Sequence, residues 1–399
     1  MRDLISDRAN RLEGSSTILV NQKADELRRK GVDVISLAVG EPDFNTPEHV
    51  KEACKRAIDD NFTRYTPSPG IPELRDAIAQ KSRRDNGIPA EGKHVIVSPT
   101  KLGLFAAVSS LCNPGEEVLL TDPCFVSYGP QVRFAGGNPV YVPLSAKDDW
   151  SIKADDVAAK ITKKTKAIML CSPSNPTGGI DDPDELRGVV ELAQDHDFAI
   201  ISDEIYEKIL YEGKHVSPAS LPGGWERTIT INGLSKSFAM TGWRIGWVLC
   251  PEPFYTPISK IQTQSITHIT SFVQKAGVTA LNGPQESVLA MRDEFKARRD
   301  LLLNEIKTIP GWTSTVPKGA FYLWPQFSQK MTSQEMCTYL LEDAHVALVP
   351  GSAFGPGSDR NVRISYAASR KTLTEAMRRI RDSLQRLEKK AVVATPRKK

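Results

Sequence analysis

The chain has 399 residues, 40% of them hydrophobic and 25% charged, and its 52 Lys and Arg against 48 Asp and Glu leave a net charge of +4. That length is enough for two domains, or for one large domain with a lobe, and the composition is that of an ordinary globular protein. Part of the small basic excess lies in Lys389-Lys390 and Arg397-Lys398-Lys399, so nucleic-acid binding gets little support. Six widely spaced cysteines form no Cys-x-x-Cys pair, which argues against zinc and for reduced, buried thiols in a cytosolic protein. No apolar signal run follows Met1, where Arg2, Asp3, Asp7 and Arg8 interrupt the start. No stretch reaches the roughly 20 apolar residues of a membrane span.

Residues 1–30 carry a helical pattern, interrupted at Ser15-Ser16-Thr17, which can cap a helix from Ile18 or lie over a site. Val34–Leu37 reads as a short strand running into Gly40-Glu41-Pro42-Asp43-Phe44. Pro47 opens a helix to about Asp60, and Ile71 to Asp85 is a second. Strands then alternate with helices. The strands are His94–Val97, Val118–Leu120, Val140–Val142, Ala167–Leu170, Phe198–Ile201, Thr228–Ile231 and Ile245–Leu249. The helices between them are Lys101–Cys112, Phe125–Ala135, Lys153–Ile161 and Pro183–Asp195. Such alternation implies an α/β fold with a mainly parallel sheet covered on both faces. Residues 255–285 read as a long, mixed helical stretch and Glu286 to Ile309 as another helix, with Arg298-Arg299 in water. From Gly311 short strands and helices follow, ending in a helix from Arg370 to Lys389, as in a smaller α+β lobe.

Ligands gather at the carboxyl ends of strands in such sheets. Four polar groups lie there: Ser98-Pro99-Thr100-Lys101 at a helix start, Ser172 to Gly178, Ser202-Asp203-Glu204-Ile205-Tyr206, and Lys236. A lysine desolvated by its fold loses basicity and can attack a carbonyl to form a Schiff base. Ser235, Ser237 and Arg244 can hold a phosphate beside it, as an aldehyde cofactor such as pyridoxal phosphate requires. Asp203 is the carboxylate for the pyridine nitrogen, or else a helix cap. Asn175 and Tyr206 can donate to a phenolic oxygen, and Phe125 offers a flat face. Arg363, at a strand end, can clamp a carboxylate bidentately. No Walker A or Gly-x-Gly-x-x-Gly motif occurs, which weakens nucleotide-binding readings.

The stretch Asn232 to Gly246, with Ser-Lys-Ser-Phe, Met240, Gly-Trp-Arg and Ile-Gly, resembles the lysine motif of class I aminotransferases. The resemblance extends over residues 1 to 388, through Gly40–Phe44, Tyr65, Ser172–Gly178, Ser202–Tyr206, Gly319–Tyr322, Pro350–Gly355 and Arg363. The chain is similar to the branch containing bacterial aspartate and aspartate/prephenate aminotransferases. That resemblance implies fold type I: a mainly parallel seven-stranded sheet in a large domain plus a smaller α+β domain. The expected division is an N-terminal arm and part of the small domain at 1–47, a large cofactor-binding domain at 48–285, a small C-terminal domain at 286–390 and a mobile tail at 391–399.

The resemblance also implies pyridoxal phosphate on Lys236, with Ser235, Arg244, Thr100 and Lys101 around its phosphate. Gly40, Asn175 and Arg363 meet the substrate α-carboxylate, and Tyr65 reaches the phosphate of the neighbouring subunit in a homodimer. Lys101, Ser16 and Thr17 match the positions that hold a distal carboxylate, which favours L-aspartate and 2-oxoglutarate. Aromatic amino acids, alanine, arginine or prephenate, or another reaction of this fold type, are the alternatives. One departure is Pro99-Thr100, where the family usually has a Gly-Gly or Gly-Ala phosphate loop: proline removes a backbone donor, which the Thr100 hydroxyl can replace.

Overall fold

The computed structural model describes residues 4–10, 12, 14 and 16–394. Its strands are β1 (Ile35–Ser36), β2 (Val95–Val97), β3 (Glu117–Asp122), β4 (Asn138–Pro143), β5 (Thr165–Cys171), β6 (Ala199–Asp203), β7 (Thr228–Gly233) and β8 (Gly246–Leu249). They continue with β9 (Trp312–Thr313), β10 (Tyr322–Leu323), β11 (Gln326–Phe327), β12 (Val346–Ala347), β13 (Val349–Pro350) and β14 (Val362–Ser365). The helices are α1 (Asp7–Asn10), α2 (Ser16–Arg29), α3 (Glu48–Asp59), α4 (Pro72–Asn86), α5 (Thr100–Leu111), α6 (Tyr128–Ala135) and α7 (Ala154–Ala158). After them come α8 (Pro183–Asp195), α9 (Tyr255–Ile266), α10 (Ser271–Asn282), α11 (Glu286–Ile306), α12 (Ser333–Tyr339) and α13 (Arg370–Ala394).

Seven strands form one sheet in the order β2-β8-β7-β6-β5-β3-β4. Only β8 runs against its neighbours β2 and β7. Its central strands are buried throughout, as expected of strands covered on both faces. Side chains alternate between two cores because successive Cβ atoms point to opposite faces. Val118, Leu120, Ala167, Met169 and Ile201 pack with α5 and α6 on one face. Leu119, Ile168, Leu170 and Ile200 pack with α7 and α8 on the other.

A second core is built on α11 and α13 around Phe295, Phe321, Tyr322, Ile364 and Met377. Strands β10, β14 and β13 form a small antiparallel sheet there. β1 pairs with β12, which ties the N-terminal segment to this second core.

The structure corrects three local expectations. The long helical stretch over 255–285 is two helices, broken at Thr267, whose φ is 63°. Ser68 bonds the Thr267 carbonyl at 2.5 Å and the Thr66 amide meets His268 at 3.4 Å, so a distant loop fixes the break. α6 begins at Tyr128, which leaves Phe125 ahead of the helix. Arg298 and Arg299, expected in water, are 6% and 4% exposed. At the C-terminus α13 continues to Ala394, and the rest of the expected mobile tail lies outside the described residues.

Candidate active site

The carboxyl ends of β2, β5, β6 and β7 meet the end of β14 and the 38–44 segment around a cavity of about 320 Å³. Its lining includes Gly40, Thr100, Lys101, Phe125, Asn175, Asp203, Tyr206, Ser235, Lys236, Arg244 and Arg363. Eleven sequence-chosen residues, drawn from positions 40 to 363, thus converge on one space. Tyr65 does not join them: it is 90% exposed, with its ring edge-on to His268 at 5.6 Å. Ser16 and Thr17 open α2, but their side chains lie outside the described residues.

Lys236 follows β7, and its amine donates to the Gly40 carbonyl at 2.6 Å. Burial lowers its pKa to about 8, helped by the Arg363 guanidinium and opposed by Glu41 and Asp203. Asp203 ends β6, fully enclosed, and burial raises its pKa to about 6. Two donors oppose that rise: the Tyr128 hydroxyl at 2.9 Å and the Ile205 amide at 3.3 Å. The amide contact is a turn contact: residues 205–208 form turns and no helix directly follows Asp203, so this residue is not a helix cap.

Arg363 is 2% exposed. It donates to Asn175 Oδ1 at 2.9 Å and to the Ala38 carbonyl at 2.7 Å. Its guanidinium stacks over the Tyr322 and Phe354 rings, at 4.5 and 5.1 Å from the centroids. Among the described residues its Nε has no partner. The Tyr322 hydroxyl shares a hydrogen bond with that of Tyr206 at 2.8 Å. At Gly40 a Cβ would stand 2.5 Å from the Tyr322 hydroxyl, so only glycine lets the 38–44 segment pass so close.

Thr100 is the first residue of α5, with Pro99 at the N-cap position and no side-chain cap hydrogen bond there. Among the described residues its buried hydroxyl has no partner. Gly233 and Gly246 leave room for it, since Cβ atoms there would lie 2.8 and 2.6 Å from that oxygen. Arg244 sits in the left-handed region at φ 57°, with its guanidinium bonded to the Thr241 carbonyl at 2.8 Å. The Lys101 ammonium stands 5.5 Å from the Phe125 ring centroid, and burial and Arg244 lower its pKa.

These features fit pyridoxal phosphate. An orphan hydroxyl, a serine, a guanidinium and a helix N-terminus suit a phosphate. A buried carboxylate suits a protonated ring nitrogen, and an amine of lowered basicity suits an aldehyde. Sequence reasoning missed Tyr128 and gave Tyr322 no role. Tyr128 lies three residues past Phe125 in a stretch that reads only as helix, while Tyr322 belongs to the Gly319–Tyr322 stretch that carries part of the resemblance.

Behind Asp203, the side-chain oxygens of Glu204 and Glu207 and a nitrogen of His215 lie within 4.8 Å of one another. The Lys81 ammonium bonds Glu207, so the cluster carries its own cation. Ser217 and Ser202 bond Glu204 at 2.6 and 3.0 Å.

Comparison with known proteins agrees with this geometry. Residues 32–380 match the family model "Aminotransferase class I and II". The chain is 43% identical over 397 residues to a probable aspartate/prephenate aminotransferase of Aquifex aeolicus, covering 97% of this chain and 100% of the relative. It is 42% identical over 385 residues to an aspartate aminotransferase of Geobacillus stearothermophilus, covering 94% and 98%. The structure superposes on that of Thermus thermophilus aspartate aminotransferase with maleate at a TM-score of 0.92 and 41% identity, covering 96% of this chain and 100% of the other. An aromatic aminotransferase from Pyrococcus horikoshii gives 0.87 and 41%, covering 91% and 99%. The chain belongs to the class I and II aminotransferases and is a pyridoxal-phosphate-dependent transaminase.

Proposed function

We propose that this protein transfers the amino group of L-aspartate to 2-oxoglutarate in a ping-pong reaction. The observation that carries the reading is one cavity shared by an amine with a pKa near 8, a buried carboxylate and a stacked arginine. When bound, the cofactor supplies an electron sink for the charge that develops at the substrate Cα. Lys236 would hold the cofactor aldehyde, and its Nζ is the group that would take and return the substrate Cα proton, which an amine with a pKa of about 8 suits. Asp203 holds the pyridine nitrogen. Asn175 and Tyr206 serve the phenolic oxygen, Phe125 covers the ring, and Thr100, Ser235 and Arg244 take the phosphate.

Arg363, with Asn175 and Gly40, takes the α-carboxylate. Its planar fork suits that group where a lysine would be a point charge. Lys101, with Ser16 and Thr17, takes the distal carboxylate. Two of the named relatives, which are aspartate aminotransferases, support this choice.

We further propose a homodimer in which Tyr65 serves the neighbouring site, a role that its 90% exposure in one chain would suit. A cytoplasmic location fits six unpaired cysteines. Among the described residues no helix is long and apolar enough to cross a membrane. The proposed division keeps an arm and part of the small domain at 1–47, a large domain at 48–285 and the rest of the small domain at 286–390.

The test is an absorption titration of the cofactor-loaded protein with L-aspartate, L-glutamate, L-alanine, L-phenylalanine and L-arginine. Conversion to the pyridoxamine spectrum at lowest concentration by the dicarboxylic amino acids is expected. The Lys101→Ala variant should lose that preference and keep its rate with alanine. Better conversion by phenylalanine would favour an aromatic transaminase, as in the Pyrococcus horikoshii relative. An unchanged aspartate rate in Lys101→Ala would refute the distal-carboxylate role.

A further inference from the structure

Both site contacts of the 38–44 segment run through its backbone. The Ala38 carbonyl accepts from Arg363 at 2.7 Å and the Gly40 carbonyl from Lys236 at 2.6 Å. Among the described residues, no backbone-to-backbone hydrogen bond holds residues 39–46. Side chains fix this strap instead. At its far end the Thr46 hydroxyl donates to the Ala239 carbonyl at 2.8 Å, and Trp243 Nε1 donates to Thr46 at 3.0 Å.

Its middle is fixed by α11. Arg298 donates to Asp43 at 2.6 Å, to Glu294 at 2.9 Å and to the Tyr366 carbonyl at 3.4 Å. Its guanidinium lies 5.0 Å from the Phe44 ring centroid and 5.5 Å from that of Phe295. Phe44 in turn meets Phe295 edge-on at 5.3 Å. Glu294 is bonded from α13 by Arg370 at 2.5 Å. A buried guanidinium therefore joins the strap to two helices of the second core. Removing Asp43 would leave Glu294 as the carboxylate that Arg298 bonds and would cut its charged link to the strap.

We propose that the Asp43–Arg298 pair is a clasp that positions the strap, and through it the Lys236 amine and the Arg363 fork. Arg298 is a positioning residue that lies outside the cavity lining. The pair spans 255 residues of sequence, so the clasp exists only when the second core has formed on α11. A loosened strap would leave the two carbonyls to wander, and the groups they hold would meet the substrate carboxylate less often in the productive arrangement.

The test uses Asp43→Asn, which keeps the side-chain shape at the partly exposed end of the pair, with Asp43→Glu as the conservative control. Hydrogen–deuterium exchange of the protein without added amino acid should rise at least about fivefold in residues 38–46 of Asp43→Asn, with α11 and the central strands unchanged. KM for the amino donor should rise about tenfold while kcat stays within about threefold, the effect of one lost charge-assisted hydrogen bond acting on binding. Asp43→Glu should restore both readouts. Unchanged exchange in 38–46 would overturn the clasp. So would exchange that rises everywhere together, or kcat and KM changes that track a general loss of stability. The kinetic arm rests on the transamination reading, but the exchange arm does not, so a wrong substrate leaves the clasp testable.

Discussion

Replacing Tyr128 by phenylalanine deletes one hydroxyl and keeps the ring that packs edge-on against Phe125. It leaves the enclosed Asp203 carboxylate with the Ile205 amide, 3.3 Å away, as its remaining direct donor. A hydrogen bond to a charged group is worth about 1.5–3 kcal/mol, or roughly one to two pH units on the carboxyl. From about 6, the Asp203 pKa should therefore rise to roughly 7–8. The parent protein is then about half ionised at pH 6, whereas the variant is about 1–10% ionised. If the cofactor requires the ionised carboxylate, its apparent Kd scales with the inverse of that fraction. Tyr128→Phe should thus bind pyridoxal phosphate about fivefold to fiftyfold more weakly at pH 6, with the difference fading by pH 9. Equilibrium titration of the cofactor-free protein, followed by absorbance or quenching of intrinsic fluorescence, measures it. An equal Kd at pH 6 would refute the reasoning, and so would a penalty that persists at pH 9. The latter would mean that Tyr128 acts by shape.

Three further outcomes follow from the same geometry. Asp203 binds its proton more tightly when folded, so its contribution to stability is full below its ordinary 3.8 and is lost as pH rises through about 6; Asp203→Asn should stabilise the cofactor-free protein at pH 8 by up to roughly 3 kcal/mol in urea denaturation and by under about 1 kcal/mol at pH 4, while abolishing transamination. Gly40→Ala puts a methyl 2.5 Å from the Tyr322 hydroxyl, so kcat/KM should fall at least about tenfold, and a rate within twofold of the parent would show that the strap yields freely. Arg363→Lys keeps the charge but loses the paired bonds to Asn175 and Ala38 and the stacking on Tyr322; kcat/KM should drop about a hundredfold, mainly through KM, and a loss under threefold would contradict the fork.

What the sequence reveals here depends on the range of the interaction. The central strands were visible because burial on both faces makes them continuous apolar runs, as in Val118-Leu119-Leu120. α8 was legible to the residue because its signals are local: Pro183 opens it, and Asp182 caps it by accepting from the amides of Asp184 and Glu185. The break at Thr267 was not legible, since it depends on Ser68 and Thr66 and not on a nearby glycine or proline. Arg298 and Arg299 looked like solvated charges because their local partners, Glu294 and Asp300, are those of an exposed helix face, and no local pattern announces their distant partners. Those partners, Asp43 and Glu212, lie 255 and 87 residues away.

The site follows the same rule with one difference. Residues whose chemistry is intrinsic, such as Lys236 and Arg363, could be named from their type and their place at strand ends. Residues that act by modifying another group could not: Tyr128 matters because it meets Asp203 across 75 residues. These modifiers keep two unfavourable protonation states available in one cavity. Burial alone would protonate Asp203 and strip Lys236 of its proton, the reverse of their states in water. Tyr128 and the Ile205 amide pull the carboxylate back towards ionisation, and Glu41 and Asp203 pull the amine back towards its proton. Both groups end near neutrality, where a small change in charge, such as a bound phosphate or a substrate carboxylate, can tip either one. That balance requires the opposing groups to sit at fixed distances, which is why the cavity is walled by stacked rings, a glycine contact and a side-chain-pinned strap in place of a flexible loop.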